Sequence, residues 1–380
     1  MPEFLETIES IRAEEASTRR LFEGEGQGVR QAQKGQGYQA KLAEAAKFVG
    51  EVMQGKKPAY HLREAMTTSD FPLLFGDILD RQLLANYRET PAPYRNYVRI
   101  ANVPDFRKVK RYQVDGGAAT LGEVAEMKEY PETNLTEAEH EYSVKKYGRR
   151  MPFSWEAIIN GDLDALQDIP RRFGRAARRT EAKFASELFF DANGPKSAAT
   201  TTITGNPELS IDALQTAMKE ISEETDEDGE PIMIDMLHLV VCPGLEVTAN
   251  NILQSTELRL REAGGVDKQE LIVANWVRNR LVLHVDPYIP QVVTDGDKGS
   301  KSWMLVADPD NNRPAAEVGF LRGNQEPQIF LKAPNAQLPG GEMAGPMQGD
   351  FDTDSIQYKV RHVFGGTHID KKMAYASHGE

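Results

Sequence analysis

Apolar residues recur at helical spacing in two short stretches of the first 65 residues. Positions three or four apart lie on one face of a helix, and the residues concerned are Leu5, Ile8 and Ile11, then Leu42, Ala46, Val49 and Met53. The glycine- and glutamine-rich segment GEGQGVRQAQKGQG separates the two stretches. Two short helices on such a link do not bury a core of their own. We therefore predict an N-terminal arm over residues 1–65 that packs on the body of the protein or on another subunit.

Two longer helices are predicted further along the chain. The first covers TTSDFPLLFGDILDRQLLANYRET, residues 67–90, where Ser69 or Asp70 can cap the helix and the apolar face holds Leu74, Ile78, Leu79 and Leu83. The second extends from about Leu163 to Asp191 and is ended by the helix breakers of ANGP. Its predicted apolar face consists of Phe173, Ala177, Thr180, Phe184 and Leu188.

Residues 105–150 have too few apolar positions for a core and carry an uneven charge. Both flanks are basic, through Arg107, Lys108, Lys110 and Arg111 on one side and Lys145, Lys146, Arg149 and Arg150 on the other. The middle holds seven glutamates between Glu123 and Glu141 against one base, Lys128. Gly116-Gly117 and Pro131 mark turns. We predict a long two-stranded excursion that a partner surface supports, because an isolated hairpin is marginal in water.

The remainder of the chain mixes helices and strands. LSIDALQTAMKEISEE and PGLEVTANNILQS predict helices, whereas IMIDMLHLVV, LVLHVDPYI, SWMLVADP and AEVGFL predict strands. In DSIQYKVRHVF, apolar Ile356, Tyr358 and Val360 alternate with polar residues, as in a half-buried strand. APNAQLPGGEMAGPMQGD predicts a loop or linker. The fold class is therefore α+β.

Net charge, cysteine content and hydropathy limit the classes of function that the chain can have. The net charge of −13 over 380 residues opposes a general nucleic-acid coat. Cys242 is the single cysteine, so no internal disulfide forms, and its apolar surroundings predict an inert thiol. No stretch has the length and apolarity of a membrane span, and the N-terminus lacks the pattern of a signal peptide. We expect a protein that is used inside a cell or leaves it without secretion.

One segment departs from the acidic composition. RRFGRAARRTEAKF begins at Arg171, and residues 171–183 carry six bases against one acid, Glu181. Two interpretations remain open: the arginines pair with acidic groups of neighbouring protein, or they bind nucleic acid.

Sequence motifs for catalysis are weak. GQGYQA at 35–40 lacks the apolar strand that a dinucleotide fingerprint requires, and EETDEDGEPIMID departs from a calcium loop at several ligand positions. His238 and His284 lie in apolar strands and are predicted to be packed residues with one hydrogen bond. We predict no enzyme activity, no cofactor and no metal.

TTSDFPLLFGDILDRQLLANYRE resembles the opening of tailed-phage major capsid proteins with the Hong Kong 97 fold, and the order of parts through YKVRHVFGGTHID agrees over roughly 66–376. The resemblance implies six parts: an N-terminal arm (1–65), a peripheral domain (66–104), an extended loop (105–150), the spine helix of the peripheral domain (151–199), an axial domain (200–350) and a C-terminal strand returning to the peripheral domain (351–380). It also implies a virion shell of pentamers and hexamers around double-stranded DNA, assembled in the bacterial host cytoplasm, with scaffolding, portal or decoration proteins as further partners and no membrane.

Site residues follow from the resemblance and the charge pattern together. The extended loop is predicted to contact the next subunit through Lys108, Lys110, Glu126, Lys128, Glu129, Glu132 and Arg149. The spine helix is predicted to face the DNA through Arg171, Arg175 and Arg178. Some family members crosslink an extended-loop lysine to an asparagine; the partner positions do not match here, so this chemistry is not carried over to Lys128. The alternatives are a nanocompartment shell around protein cargo and a soluble nucleic-acid-binding protein or enzyme.

Overall fold

A computed structural model describes residues 38–53, 56–57, 71–115, 136–154, 163–226, 229–234, 236–255, 257–261, 270–278, 280–310, 313–332 and 355–379. The first predicted helix of the arm, the turn region of the extended loop and the proline- and glycine-rich linker lie outside these segments.

The described residues contain both helices and strands, which confirms the α+β class. The α-helices are α1 (Tyr38–Met53), α2 (Phe71–Glu89), α3 (Leu163–Phe189), α4 (Ile211–Ser222), α5 (Glu246–Gln254), α6 (Ile289–Val292) and α7 (Lys298–Lys301). The strands before α4 are β1 (Arg99–Val103), β2 (Val109–Asp115), β3 (Thr136–Tyr142), β4 (Lys145–Ser154), β5 (Phe190–Asp191), β6 (Gly194–Pro195) and β7 (Thr201–Thr202). The later strands are β8 (Leu237–Val241), β9 (Glu257–Arg261), β10 (Glu270–Ala274), β11 (Leu281–Val285), β12 (Trp303–Ala307), β13 (Ala316–Leu321), β14 (Gln328–Leu331), β15 (Ser355–His368) and β16 (Ala374–Ser377).

The chain divides into two compact units. The first unit comprises Met1–Pro91, Lys146–Arg178 and Glu326–Val363, and the second comprises Ala92–Lys145, Arg179–Gln325 and Phe364–Glu380. This division differs from the predicted domains, because residues 92–104 and the end of the spine helix group with the predicted axial residues. Tyr97 shows the cause: its ring is buried, and its hydroxyl bonds Asp286, 189 positions further along the chain.

The first unit packs helices on a sheet. Its sheet pairs β14 and β4 with the first part of β15, and α1, α2 and the start of α3 supply apolar side chains to one core. Gly174 permits a close approach of α3 to α2, because a Cβ there would lie 2.6 Å from the carbonyl oxygen of Leu83. Representative core residues are Leu42, Ala46, Val49, Ile78, Leu83, Phe173, Tyr358 and Val360.

The second unit is built on a five-stranded sheet in the order β11-β8-β12-β16-β7. Every residue of β8 and β12 is buried, as their continuous apolar sequences require. A separate ladder pairs β1 in parallel with β13, and β13 antiparallel with the end of β15. The β2–β3 ladder is described with the candidate surfaces below.

The C-terminal segment needs a correction. Residues 351–380 were predicted as one strand returning to the peripheral domain, but they hold two strands. The first part of β15 belongs to the first unit, whereas β16 pairs with β12 and β7 in the five-stranded sheet. The short strand Ala374–Ser377 lies between β12 and β7 and is buried throughout.

Candidate assembly and nucleic-acid surfaces

The predicted excursion is a hairpin in the residues that the structure describes. Strand β2 pairs antiparallel with β3, from Val109 opposite Tyr142 to Asp115 opposite Thr136. Four of the predicted contact residues, Glu126, Lys128, Glu129 and Glu132, lie outside the described residues. The hairpin is thus confirmed at its base, and the role of those four residues stays a prediction.

Two lysines at the base have partners within their own hairpin. Lys108 Nζ lies 2.7 Å from Glu141 Oε2, and Lys110 Nζ lies 2.6 Å from Glu139 Oε1. The hydrogen bond from Lys108 lowers the pKa of Glu141. All four side chains are at least one-third exposed, so water weakens the pairs. The antiparallel register sets this pairing, which occupies the bases that we expected to bind the acidic loop of a neighbouring subunit.

Arg149 is the remaining described residue of the predicted contact set. It lies on β4 in the first unit and is exposed. Its exposure is compatible with a contact to another subunit, which stays a prediction.

The most buried ion pair of the hairpin was not predicted. Glu317 on β13 is 1% exposed. It accepts a hydrogen bond from Arg111 Nε at 2.7 Å and one from the Tyr142 hydroxyl at 2.5 Å. Burial and this hydrogen bond together raise the pKa of Tyr142. Sequence alone did not mark Glu317, because AEVGFL indicates only a buried strand.

One of the predicted DNA contacts is wrong. Arg178 is 6% exposed, its guanidinium carbon lies 3.9 Å from the centre of the Tyr87 ring, and its Nε donates to the Tyr87 carbonyl oxygen at 3.1 Å. Four residues advance a helix by about 40° beyond a full turn. Arg178 therefore lies near the face of buried Gly174 and packs inside the first unit, where it cannot meet DNA.

The other predicted DNA contacts differ in exposure. Arg175 is exposed and Arg171 is half-buried. Thr180, predicted for the apolar face, is also exposed, whereas Phe173, Ala177 and Leu188 are buried as predicted.

The exposed cations of α3 share one face of that helix, which we name the basic stripe: Arg172, Arg175, Arg179 and Lys183. Their spacing of three, four and four residues keeps them aligned, and at 1.5 Å per residue they extend over about 16 Å of helix. Sequence reasoning missed Arg172 and Arg179 because it placed Arg178 on this face.

The single acid of the segment does not oppose the basic stripe. Glu181 is fully buried, accepts a hydrogen bond from the Tyr94 hydroxyl at 2.7 Å, and lies 3.7 Å from Arg95 in an ion pair. Burial is the main cause that raises the pKa of Tyr94, and the charge of Glu181 adds to it. Since the carboxylate is satisfied in the core, the exposed face of residues 171–183 is more basic than a count along the sequence indicates. Beyond this segment, exposed Glu187 lies 4.0 Å from Lys183.

A buried polar cluster in the second unit brings serine, aspartate and histidine together. Ser186 Oγ donates to Asp286 Oδ2 at 2.5 Å, and Tyr97 adds a bond at 3.2 Å. His284 instead faces His238, at 3.0 Å between ring nitrogens, as the prediction of packed histidines required. Burial lowers the pKa of His284 to about 4, so the ring is neutral at pH 7. Because the serine bonds the carboxylate and not an imidazole, the cluster lacks the serine–histidine contact of nucleophilic catalysis.

Cys242 is a free, buried cysteine. Burial raises the pKa of Cys242, as expected for an inert thiol. The described residues contain no group of three or more histidine, cysteine or acidic side chains arranged to hold a metal ion. Among the described helices, none combines the length and apolarity needed to span a bilayer.

The described residues form an α+β chain with a polar hairpin and a basic helix. Residues 137–377 match the phage capsid protein family, and the chain belongs to this family. A comparison with curated proteins found no match.

Several solved structures are similar to the chain at low identity. A virus-like particle from Pyrococcus furiosus is 11% identical, with 80% of this chain and 99% of that chain covered and a TM-score of 0.43. The Mycobacterium phage Bobi chain is 13% identical, with 77% and 91% covered and a TM-score of 0.43. The capsid of an empty GTA particle is 10% identical, with 76% and 90% covered and a TM-score of 0.44. The assignment to the phage capsid protein family rests on the family match, which covers more than half of the chain.

The resemblance to tailed-phage major capsid proteins with the Hong Kong 97 fold is thereby confirmed. The protein is a structural subunit of a capsid shell, it self-assembles, and its place is the virion capsid.

Proposed function

We propose that this subunit forms pentamers and hexamers of an icosahedral shell around double-stranded DNA, and that the basic stripe of α3 contacts the DNA backbone. The family match supports the shell. The single observation that carries the DNA contact is the exposure of Arg172, Arg175 and Arg179 on one helix face while Glu181 is turned into the core.

The basic stripe reduces the electrostatic repulsion between an acidic subunit and DNA. Each subunit carries a formal charge of −13, and duplex DNA carries one negative charge per roughly 1.7 Å of axis. A uniformly acidic wall would repel the packaged genome. A stripe of about 16 Å faces roughly nine to ten DNA charges at that density, so its cations neutralise part of the repulsion where wall and duplex meet. Such contacts are directed to phosphates and independent of sequence.

The extended hairpin is proposed as the contact between subunits. Its two strands pair only with each other among the described residues, and a two-stranded ladder is marginally stable in water, so a contact with a neighbouring subunit would add to its stability. The proposed contact groups are Arg149 on one subunit and the acidic residues Glu126, Glu129 and Glu132 on its neighbour. Since Lys108 and Lys110 already pair within the hairpin, they contribute less than the sequence indicated.

Assembly is proposed to take place in the cytoplasm of a bacterial host. A shell of this kind needs an entrance for DNA, so a portal protein is a proposed partner, and scaffolding or decoration proteins are further ones. The proposal includes no catalytic step.

A charge-neutralising triple variant tests the DNA contact. Arg172→Gln, Arg175→Gln and Arg179→Gln together should leave empty-shell formation intact and lower the stability of DNA-filled particles, with the loss largest at low salt and shrinking as salt is raised. The matched control replaces three exposed cations outside α3, Lys219, Arg278 and Arg280, by glutamine. Electron microscopy counts shells, and release of DNA on heating measures particle stability.

Three results would contradict the proposal. Failure of the α3 variant to form shells without DNA would place the stripe in a protein interface. Equal DNA release by the α3 variant and its control would show that only net charge matters. Purified particles that hold protein cargo and no DNA would favour the nanocompartment alternative.

A further inference from the structure

The extended hairpin is tied to the body of the second unit at one buried carboxylate. Strands β2 and β3 form a two-stranded sheet, and each sends one side chain to Glu317. Arg111 on β2 and Tyr142 on β3 both donate to the same oxygen, Oε1, at 2.7 and 2.5 Å. Arg99 on β1 lies 3.8 Å from the other oxygen, Oε2. Glu317 therefore joins both strands of the hairpin and β1 at a single point.

The Tyr142 ring is held in place by shape as well as by its hydroxyl. Gly319 lies two residues after Glu317, on the same face of β13. A Cβ at Gly319 would lie 2.5 Å from the Tyr142 hydroxyl oxygen and 2.7 Å from Cγ2 of Val103. Since any larger side chain would displace the ring, glycine at this position lets the tyrosine reach the carboxylate.

A second, weaker attachment lies further along β2. Gln113 Nε2 donates to Asp370 Oδ2 at 3.1 Å. The same oxygen accepts from Arg313 Nε at 2.9 Å, and Asp370 is 6% exposed. Arg111 and Gln113 point to the same side of β2, because side chains two apart share a face. The two attachments thus fix one face of the hairpin against the body.

We propose that Glu317 is a positioning residue for shell assembly, which sets the direction in which the extended hairpin leaves its own subunit. The inference rests on the proposed role of the hairpin between subunits. A hairpin fixed at its base presents its far end at a defined place, whereas a loosely attached one must be ordered at each contact and loses affinity.

The negative charge of Glu317 is central to this role. Charge-assisted hydrogen bonds are roughly twice as strong as neutral ones, and an arginine fork matches a carboxylate. Glutamine has nearly the same size, but it removes the charge and brings an amide nitrogen, a donor, toward the donors of Arg99 or Arg111. Glu317→Gln should therefore loosen the hairpin without opening a cavity.

Glu181 provides a matched control. It is also a fully buried carboxylate in the second unit with one tyrosine and one arginine partner, Tyr94 and Arg95. Both of these partners lie outside the hairpin strands β2 and β3. Glu181→Gln should carry a similar cost of neutralising a buried acid while leaving the hairpin attached.

Hydrogen exchange of unassembled, full-length subunits is the direct test. Glu317→Gln should speed exchange of the amides of β2 and β3 by about tenfold, as expected when one strong contact of a local opening unit is weakened. Exchange in β8 and β12 should stay unchanged. Glu181→Gln should leave β2 and β3 at the wild-type rate, and Glu317→Asp, which keeps the charge, should fall between wild type and Glu317→Gln. If Glu317→Gln and wild type exchange alike in β2 and β3, the proposal fails.

Assembly is measured separately on the same variants by sedimentation and electron microscopy. Glu317→Gln should give fewer closed shells and a broader range of particle sizes, with Glu181→Gln closer to wild type. Faster hairpin exchange with normal shells would overturn the assembly role of the hairpin while the attachment itself stands. Should Glu317→Gln not fold, Tyr142→Phe removes one donor, retains the ring on Gly319, and must show the same selective change in exchange.

Discussion

Replacement of Arg178 by alanine separates a structural arginine from the exposed arginines beside it on α3. Its contacts in the first unit include the hydrogen bond of Nε to the Tyr87 carbonyl oxygen and the stacking of the guanidinium on the Tyr87 ring. A hydrogen bond to a charged group contributes about 1.5–3 kcal/mol, and a desolvated cation–π contact about 2 kcal/mol. The contacts share one side chain and are not additive.

We therefore expect Arg178→Ala to lower the free energy of unfolding by about 2–4 kcal/mol. Arg175→Ala, on the exposed face of the same helix, should change it by no more than about 0.5 kcal/mol. Arg178→Lys should be intermediate, because lysine keeps the charge but lacks the flat guanidinium that stacks on the ring. Urea unfolding of unassembled subunits, followed by far-ultraviolet circular dichroism, measures all three differences.

Equal unfolding curves for Arg178→Ala and Arg175→Ala would refute this reasoning. They would mean that the Arg178 side chain is not held against Tyr87 in the folded subunit, and Arg178 would return to the set of candidate DNA contacts.

Three further predictions concern assembly, packing and pH. Deletion of 116–136 should leave a folded subunit that forms few or no shells by sedimentation; normal shells would exclude the hairpin as an inter-subunit contact. Gly174→Ala should destabilise the subunit by about 1–3 kcal/mol in thermal unfolding, since the new Cβ would lie 2.6 Å from the Leu83 carbonyl oxygen; a gain from helix propensity would contradict that close approach. Burial lowers the folded-state pKa of His284 to about 4, below its unfolded value of about 6.5, so the unfolded chain binds the proton first and stability should fall as pH drops from about 6.5 to about 4. His284→Gln should flatten this part of the stability curve, and an unchanged slope would show that another group causes it.

Sequence patterns alone located the main elements. The continuous apolar stretches LHLVV and WMLVA became the buried strands β8 and β12, and the alternation around Tyr358 and Val360 became β15, with both side chains buried. The polar segment with basic flanks became a hairpin at its base. These features depend on local periodicity and composition, which a single chain segment carries by itself.

Side-chain partners were decided by tertiary structure. Along the sequence Arg175 and Arg178 are alike, yet one is exposed and the other is buried, because Tyr87 from α2 meets only the second. A charge count along the sequence sets Glu181 against the neighbouring bases. In the folded chain Glu181 lies in the core, where it accepts a hydrogen bond from the Tyr94 hydroxyl.

The same limit applies to the hairpin. Its composition predicted two strands and a basic base, but the register that joins Lys108 to Glu141 comes from the folded ladder. The attachment of Arg111 to Glu317 spans 206 positions of sequence. Periodicity reports which face of an element is buried, whereas the identity of the group that meets a buried charge depends on which distant element packs there, and the folded chain alone determines that.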